Sequence, residues 1–313
     1  MEYSKLARAI EQAALDCGFD KCGIISPSAL SDYHKRLEER IAKVPNSEGF
    51  YQGFRKLADV QRRFPWAQSL VICVYQYSRY RYPEEMRGRY AKAFFLNPED
   101  GKNDGFDQKR FERQLTKLGI RWYGDNAFPL RQAAVEAGLG IIRKNNFFYT
   151  EKGSFLNLVG YIIDQKCELI HECHIHPCAP KCKMCQGACK SHALFDAHTM
   201  DPTRCISFWT TFGKGYVPEF LEEDQFEEWV CGCDNCQDIC PYNRRVNWDE
   251  GEDFSELSEL APQITPEQLL KQSDEFIRTR VITKTDHHLQ PEDTDALRRT
   301  AERALKYQKK HQG

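Results

Sequence analysis

The sequence predicts an α+β protein in three segments: a mixed helix-and-strand domain over residues 1–165, a compact cysteine-rich module over 166–247, and a linker with a short helical C-terminus over 248–313. Three observations lead there. Apolar residues recur at helical spacing near the N-terminus and after Pro129, and gather into strand-like runs near residues 70 and 160. Composition changes abruptly to Cys, His, Lys and Pro after residue 166. Nine of the 14 cysteines (178, 182, 185, 189, 205, 231, 233, 236 and 240) fall in two short windows instead of being spread as loop staples would be.

The elements follow in order. Leu6, Ala7, Ile10, Ala13, Ala14 and Cys17 share a helical face, Gly18 is placed to end that helix, and Gly23-Ile-Ile25 begins a strand. Ser69-Leu-Val-Ile-Cys-Val-Tyr75 has the apolar, β-branched character of a buried strand. Residues 80–112 are charged and broken by Pro83, Pro98 and glycines, and are expected to form a surface excursion or lid. A helix begins after Pro129 and is capped by Gly138, leaving Asp125 just outside its N-terminus, and 154–163 form another strand. Helical patterns return around 266–280 and 291–309, the last ending in a basic run.

A chain of 313 residues can bury a substantial core and carry a second module without disulfides, so clustered cysteines point to metal ligation in a reducing cytoplasm. No stretch approaches the roughly 18 uninterrupted apolar residues of a membrane span, and the N-terminus lacks a signal-peptide pattern, so a cytoplasmic protein is expected. With 44 basic and 46 acidic side chains the net charge is -2, which gives no global attraction to nucleic acid.

Cys233-Asp-Asn-Cys236-Gln-Asp-Ile-Cys240-Pro241 reads C-x2-C-x3-C-P, and its mate lies upstream at Cys178, Cys182, Cys185 and Cys189. The x2 spacing lets one loop wrap a single 4Fe-4S cluster, and the x3 step carries the next cysteine away, in two-cluster ferredoxins to the other cluster. One cluster then takes Cys178, Cys182, Cys185 and Cys240; the other takes Cys189, Cys233, Cys236 and one more distant thiolate. Cys205 is the choice for that last place, with Cys231 its competitor, and Cys173 competes with Cys178 because the first motif departs from the usual spacing. Lysines 181, 183 and 190 would place positive charge near a cluster and favour its reduced state. A zinc site at Cys182, Cys185, Cys233 and Cys236 would leave four cysteines without a role. His171, His174 and His176 are not taken as ligands, and Cys17, Cys22 and Cys73 are read as small core residues.

At Asp201-Pro-Thr-Arg-Cys205-Ile-Ser-Phe and Gly232-Cys-Asp-Asn-Cys-Gln-Asp-Ile-Cys-Pro-Tyr-Asn-Arg244 the chain resembles the epoxyqueuosine reductases, cobalamin-dependent enzymes of tRNA queuosine synthesis with two 4Fe-4S clusters. The similarity continues through Asp125-Asn-Ala, Ala137-Gly-Leu-Gly140, Lys144-Asn145 and Gly153-Ser-Phe. It implies a cobalamin-type reductase domain at the N-terminus, related to reductive dehalogenases, fed by the ferredoxin-like module. It also implies an electron-donor protein of ferredoxin or flavodoxin type, a tRNA substrate, Cys205 as a ligand, and Asp125 as the catalytic proton donor. Such a donor needs its pKa raised by burial, whereas the nearby helix N-terminus would lower it; a plain capping role is the alternative. The long helical repeats of the family are replaced by about sixty residues with one basic helix, and residues 88–100 are altered. Both changes bear on tRNA binding. A ferredoxin-like carrier or activator for a partner protein is the alternative function, followed by a zinc-stabilised nucleic-acid-binding module.

Overall fold

The computed structural model describes residues 3–96, 107–124, 126–285 and 288–311. The chain forms two compact units, each built from two stretches: Met1–Gln76 with Pro98–Cys182, and Tyr77–Asn97 with Lys183–Gly313.

The first unit carries helices α1 (Tyr3–Asp16), α2 (Tyr33–Lys43), α3 (Gln108–Lys117) and α4 (Leu130–Glu136), and strands β1 (Lys21–Ile25), β2 (Ser69–Gln76), β3 (Trp122–Tyr123), β4 (Ile141–Ile142), β5 (Phe148–Tyr149) and β6 (Leu156–Ile163). Its main sheet is antiparallel in the order β1-β2-β6-β3, and β4 and β5 form a separate hairpin. All eight residues of β2 are buried, which is why it reads as a continuous apolar run instead of an alternation. Its two faces still divide by period two. Leu70, Ile72 and Val74 join Phe128, Ala133, Ala134 and Ala137 of the α4 side in one core. Cys73, on the opposite face, lies across from Cys22 in the β1–β2 register. Cys17, Cys22 and Cys73 are all buried, as expected of core residues, and burial pushes the Cys73 thiol well up.

Gly138 ends α4 with a φ of +71°, and a Cβ there would stand 1.8 Å from the His171 carbonyl oxygen. That close approach carries the chain leading into the first cysteine motif, since His171 N also donates to Ala137 O at 3.0 Å.

The second unit contains α5 (Met184–Ala188), α6 (Ile206–Thr210), α7 (Asn235–Asp238), α8 (Ser255–Leu260), α9 (Pro266–Leu269) and α10 (Thr294–His311). Residues 77–96 belong to it and do not form the expected surface excursion: Tyr82, Met86, Tyr90 and Phe95 are buried. The charges that suggest a surface segment are paired with residues far along the chain in the same unit, Arg89 with Glu228 at 2.9 Å and Arg87 with Asp249 at 2.7 Å. The remainder of the 80–112 stretch divides between residues outside the described ones and α3 of the first unit. The C-terminal segment is likewise packed, with α9 against α10 and Leu269, Leu297 and Ala301 buried. Arg303 of α10 is buried and donates to the carbonyls of Gly215 at 3.2 Å and Trp229 at 3.0 Å. The basic end of α10 is partly neutralised, Lys306 by Glu223 and Lys310 by Asp224.

Gly138→Ala combines a left-handed backbone with a severe clash, each worth about 1–3 kcal/mol, so denaturant unfolding is expected to show a loss of about 3 kcal/mol or more. Gly49→Ala, where nothing lies within 4 Å, is expected to be neutral or slightly stabilising in the same assay.

Candidate metal centre

Five cysteines of the second unit, Cys185, Cys189, Cys205, Cys233 and Cys236, come from three stretches of chain. Cys185 lies in α5 and Cys236 in α7, and these two short helices pack on each other. Cys189 is the residue that ends α5, and Cys205 is the residue that starts α6. Ile206, Leu221, Phe226 and Trp229 form a small core beneath them, with Cys233 packed against it. Trp229 Nε1 donates to Asn235 Oδ1 at 3.2 Å, fixing the start of α7.

The electrostatics show which thiols are neighbours. Burial pushes the Cys236 thiol well up, and Cys205, Cys189, Asp234 and Cys185 raise it further. Cys233 is pushed well up by burial, with the Asn235 backbone N–H pulling back and Cys205 and Cys236 adding to the rise. Cys205 is raised by burial, is pulled back by the N–H groups of Phe208 and Ser207, and feels Cys189. Cys205 thus feels Cys189, Cys233 feels Cys205 and Cys236, and Cys236 feels Cys205, Cys189 and Cys185. Among the described residues, no three His, Cys, Asp or Glu side chains close tightly enough to hold one bare metal ion.

Cys231 is set apart. Its backbone bridges to Tyr90, and burial alone pushes its thiol up to about 12. Gly232, at φ +77°, makes the turn between the two cysteines, and a Cβ on it would lie 2.3 Å from the Ala91 Cβ. One backbone step thus sends Cys231 toward Tyr90 while Cys233 joins the other thiols.

Cys178 and Cys182 lie at the end of the first unit, and Cys240 is buried in the second. The chain around Cys178 is held by cations on the β4–β5 turn. Arg143 Nη1 lies 3.7 Å from Cys178 Sγ, and Lys144 Nζ donates to the carbonyls of Ala179, Pro180 and Cys182 at 3.0, 2.7 and 3.0 Å. Neither cation has a role that spacing alone would assign, although Lys144-Asn145 is part of the resemblance. Cys173 is exposed, and His171 uses Nε2 on the Cys22 carbonyl at 2.8 Å. Lys190 is paired with Glu227 at 3.3 Å, which reduces the charge it offers a cluster. Asp125 lies outside the described residues; the adjacent Asn126 has a φ of +46°.

The loop 233–240 has a partner that no sequence motif marks. Lys92, 2% exposed, places Nζ 2.8 Å from Asp238 and 3.3 Å from Asp234, and its backbone N–H donates to Asp234 at 2.8 Å. Burial pulls its pKa down, but the two carboxylates more than offset that, so it stays charged. Burial of Lys92 is invisible in a linear motif because its carboxylates lie more than a hundred residues away.

The cysteine spacing in this mixed helix-and-strand fold is that of an iron–sulfur protein. Residues 178–243 match the family described as a 4Fe-4S double cluster binding domain. An epoxyqueuosine reductase of Cellulophaga algicola is 31% identical over 247 residues, 75% of this chain and 78% of that one, so the two chains are of nearly equal length. Another, from Gloeobacter violaceus, is 30% identical over 87% of this chain and 88% of its own. The chain belongs to the epoxyqueuosine reductase family, a family of reductases. Its fold matches a solved epoxyqueuosine reductase of Bacillus subtilis, described with its catalytic aspartate loop swung out of the active site, at a TM-score of 0.73 and 20% identity, over 99% of this chain and 84% of that one. It also matches an epoxyqueuosine reductase solved with a tRNA-Tyr epoxyqueuosine-modified stem loop, at a TM-score of 0.72 and 22% identity over the same shares. No helix among the described residues is long and apolar enough to cross a membrane.

Alkylation of the reduced, metal-free protein, mapped by peptide mass spectrometry, is expected to modify exposed Cys173 first. Cys205, Cys231, Cys233 and Cys236 should label only as pH climbs beyond the ordinary thiol pKa of about 8.5. Equal labelling at neutral pH would contradict the burial described.

Proposed function

We propose that this chain is a two-cluster, cobalamin-dependent reductase acting on an epoxyqueuosine-type tRNA substrate. The observation that carries the reading is the gathering of Cys189, Cys205, Cys233 and Cys236. Thiols that raise one another's pKa are poor neighbours as bare thiolates, and a cationic iron–sulfide core relieves the repulsion while releasing their protons. These four form one proposed 4Fe-4S site; Cys178, Cys182, Cys185 and Cys240 form the other, by their spacing in the chain. Cys205 is preferred over Cys231 because the Cys231 thiol lies by the tyrosines and not by the other thiols.

Residues 1–165 are assigned the cobalamin and substrate, 166–247 the clusters, and 248–313 a packed helical end. Cobalamin enters through the family resemblance, and when bound would supply the cobalt centre that passes electrons to substrate. Clusters transfer electrons singly, so a two-electron reduction takes two passages from a donor of ferredoxin or flavodoxin type. Asp125 is proposed to give the proton, a role supported by its Asp-Asn-Ala context and by the catalytic aspartate loop described for the Bacillus subtilis enzyme. The relative solved with a modified tRNA stem loop supports a tRNA substrate.

Protein reconstituted without oxygen with iron, sulfide and cobalamin should retain corrinoid absorbance after desalting; its absence would remove cobalamin from the account. Cys205→Ala is expected to lose about half the bound iron, and Cys231→Ala to keep it. Asp125→Asn should retain both clusters while single-turnover reduction slows by about 100-fold or more, the usual worth of a positioned proton donor.

A further inference from the structure

A buried lysine needs a reason. The side chain of Lys92 is 3% exposed, Asp234 is equally buried, and Asp238 reaches the surface at 39%. The aromatic rings of Tyr82 and Trp248 lie 5.5 and 5.2 Å from the ammonium, closing the site to water on that side. Buried ion pairs seldom add net stability over an apolar replacement, because desolvating the charges consumes most of their attraction. Stability alone is therefore a weak account of this cation.

Its carboxylates give a better one. Asp234 follows Cys233 directly, and Asp238 lies midway between Cys236 and Cys240, so Lys92 grips both turns of the C-x2-C-x3-C loop. The backbone N–H of Lys92 adds a second hold on Asp234. We propose that Lys92 is a positioning residue for the cysteine loop 233–240, fixing its two carboxylates and balancing their charge beside Cys233 and Cys236. This rests on the reading that those cysteines hold an iron–sulfur cluster. Two unopposed carboxylates would make the cluster harder to reduce, whereas the ammonium cancels one of them in surroundings where charges are poorly screened.

The test is a redox titration followed by electron paramagnetic resonance on the full chain reconstituted without oxygen. Lys92→Met is expected to move the midpoint of one cluster to a more negative potential and leave the other unchanged. Asp238→Asn should move the same cluster to a more positive potential, and Lys92→Arg should stay near the parent. A merely structural pair would not give opposite signs. Unchanged midpoints in Lys92→Met and Asp238→Asn, or shifts in one direction for both, overturn the proposal while the cluster reading stands. A parent protein that takes up no iron and sulfide overturns the cluster reading itself. Should Lys92→Met fail to fold, Asp238→Asn decides alone: a positive shift supports the role, and none refutes it.

Discussion

Electrostatically coupled, half-buried thiols set the constraint on which the second unit is built. Each of Cys205, Cys233 and Cys236 is pushed above its ordinary pKa by burial, and each feels at least one other cysteine. Without a cationic core these groups would stay protonated and gain little from adjacency. The backbone N–H groups of Ser207 and Phe208 pull the Cys205 thiol back down, and that of Asn235 does the same for Cys233, which favours sulfur atoms that carry negative charge.

The rest of the unit serves that arrangement. The core of Ile206, Leu221, Phe226 and Trp229 supports the loops, Arg303 of the last helix caps two of their carbonyls, and Gly232 parts Cys231 from Cys233. Lys92 binds the carboxylates that flank the cysteines. In the first unit, Arg143 and Lys144 hold the Cys178–Cys182 loop by its sulfur and its carbonyls. The two motifs are thus braced alike, by cations that lie outside them in sequence.

Much of this is legible in the sequence where the signal is local. The strand at Ser69, the helix after Pro129 and its glycine end occur where the residues place them, because continuous apolar runs and capping residues act over a few positions. The cysteine spacing carries the family resemblance for the same reason, since each motif is confined to a single short loop. Long-range pairing is not legible. Residues 80–96 read as a surface segment because Arg81, Glu84, Glu85, Arg87, Arg89 and Lys92 charge them and Pro83 and Gly88 interrupt them, and that charge hides the buried series Tyr82, Met86 and Tyr90. Cys205 is chosen over Cys231 from the sequence, but the turn at Gly232 that parts Cys231 from Cys233 is not legible there. The terminal helix reads as ending in a basic run, but Glu223 and Asp224, far away in sequence, take up part of its charge.

The central claim is that these cysteines hold two 4Fe-4S cores. Native mass spectrometry of protein isolated and sprayed without oxygen weighs the bound inorganic atoms directly. The account predicts a chain heavier than its sequence by two Fe4S4 cores; a chain carrying zinc, or a single core, would contradict it.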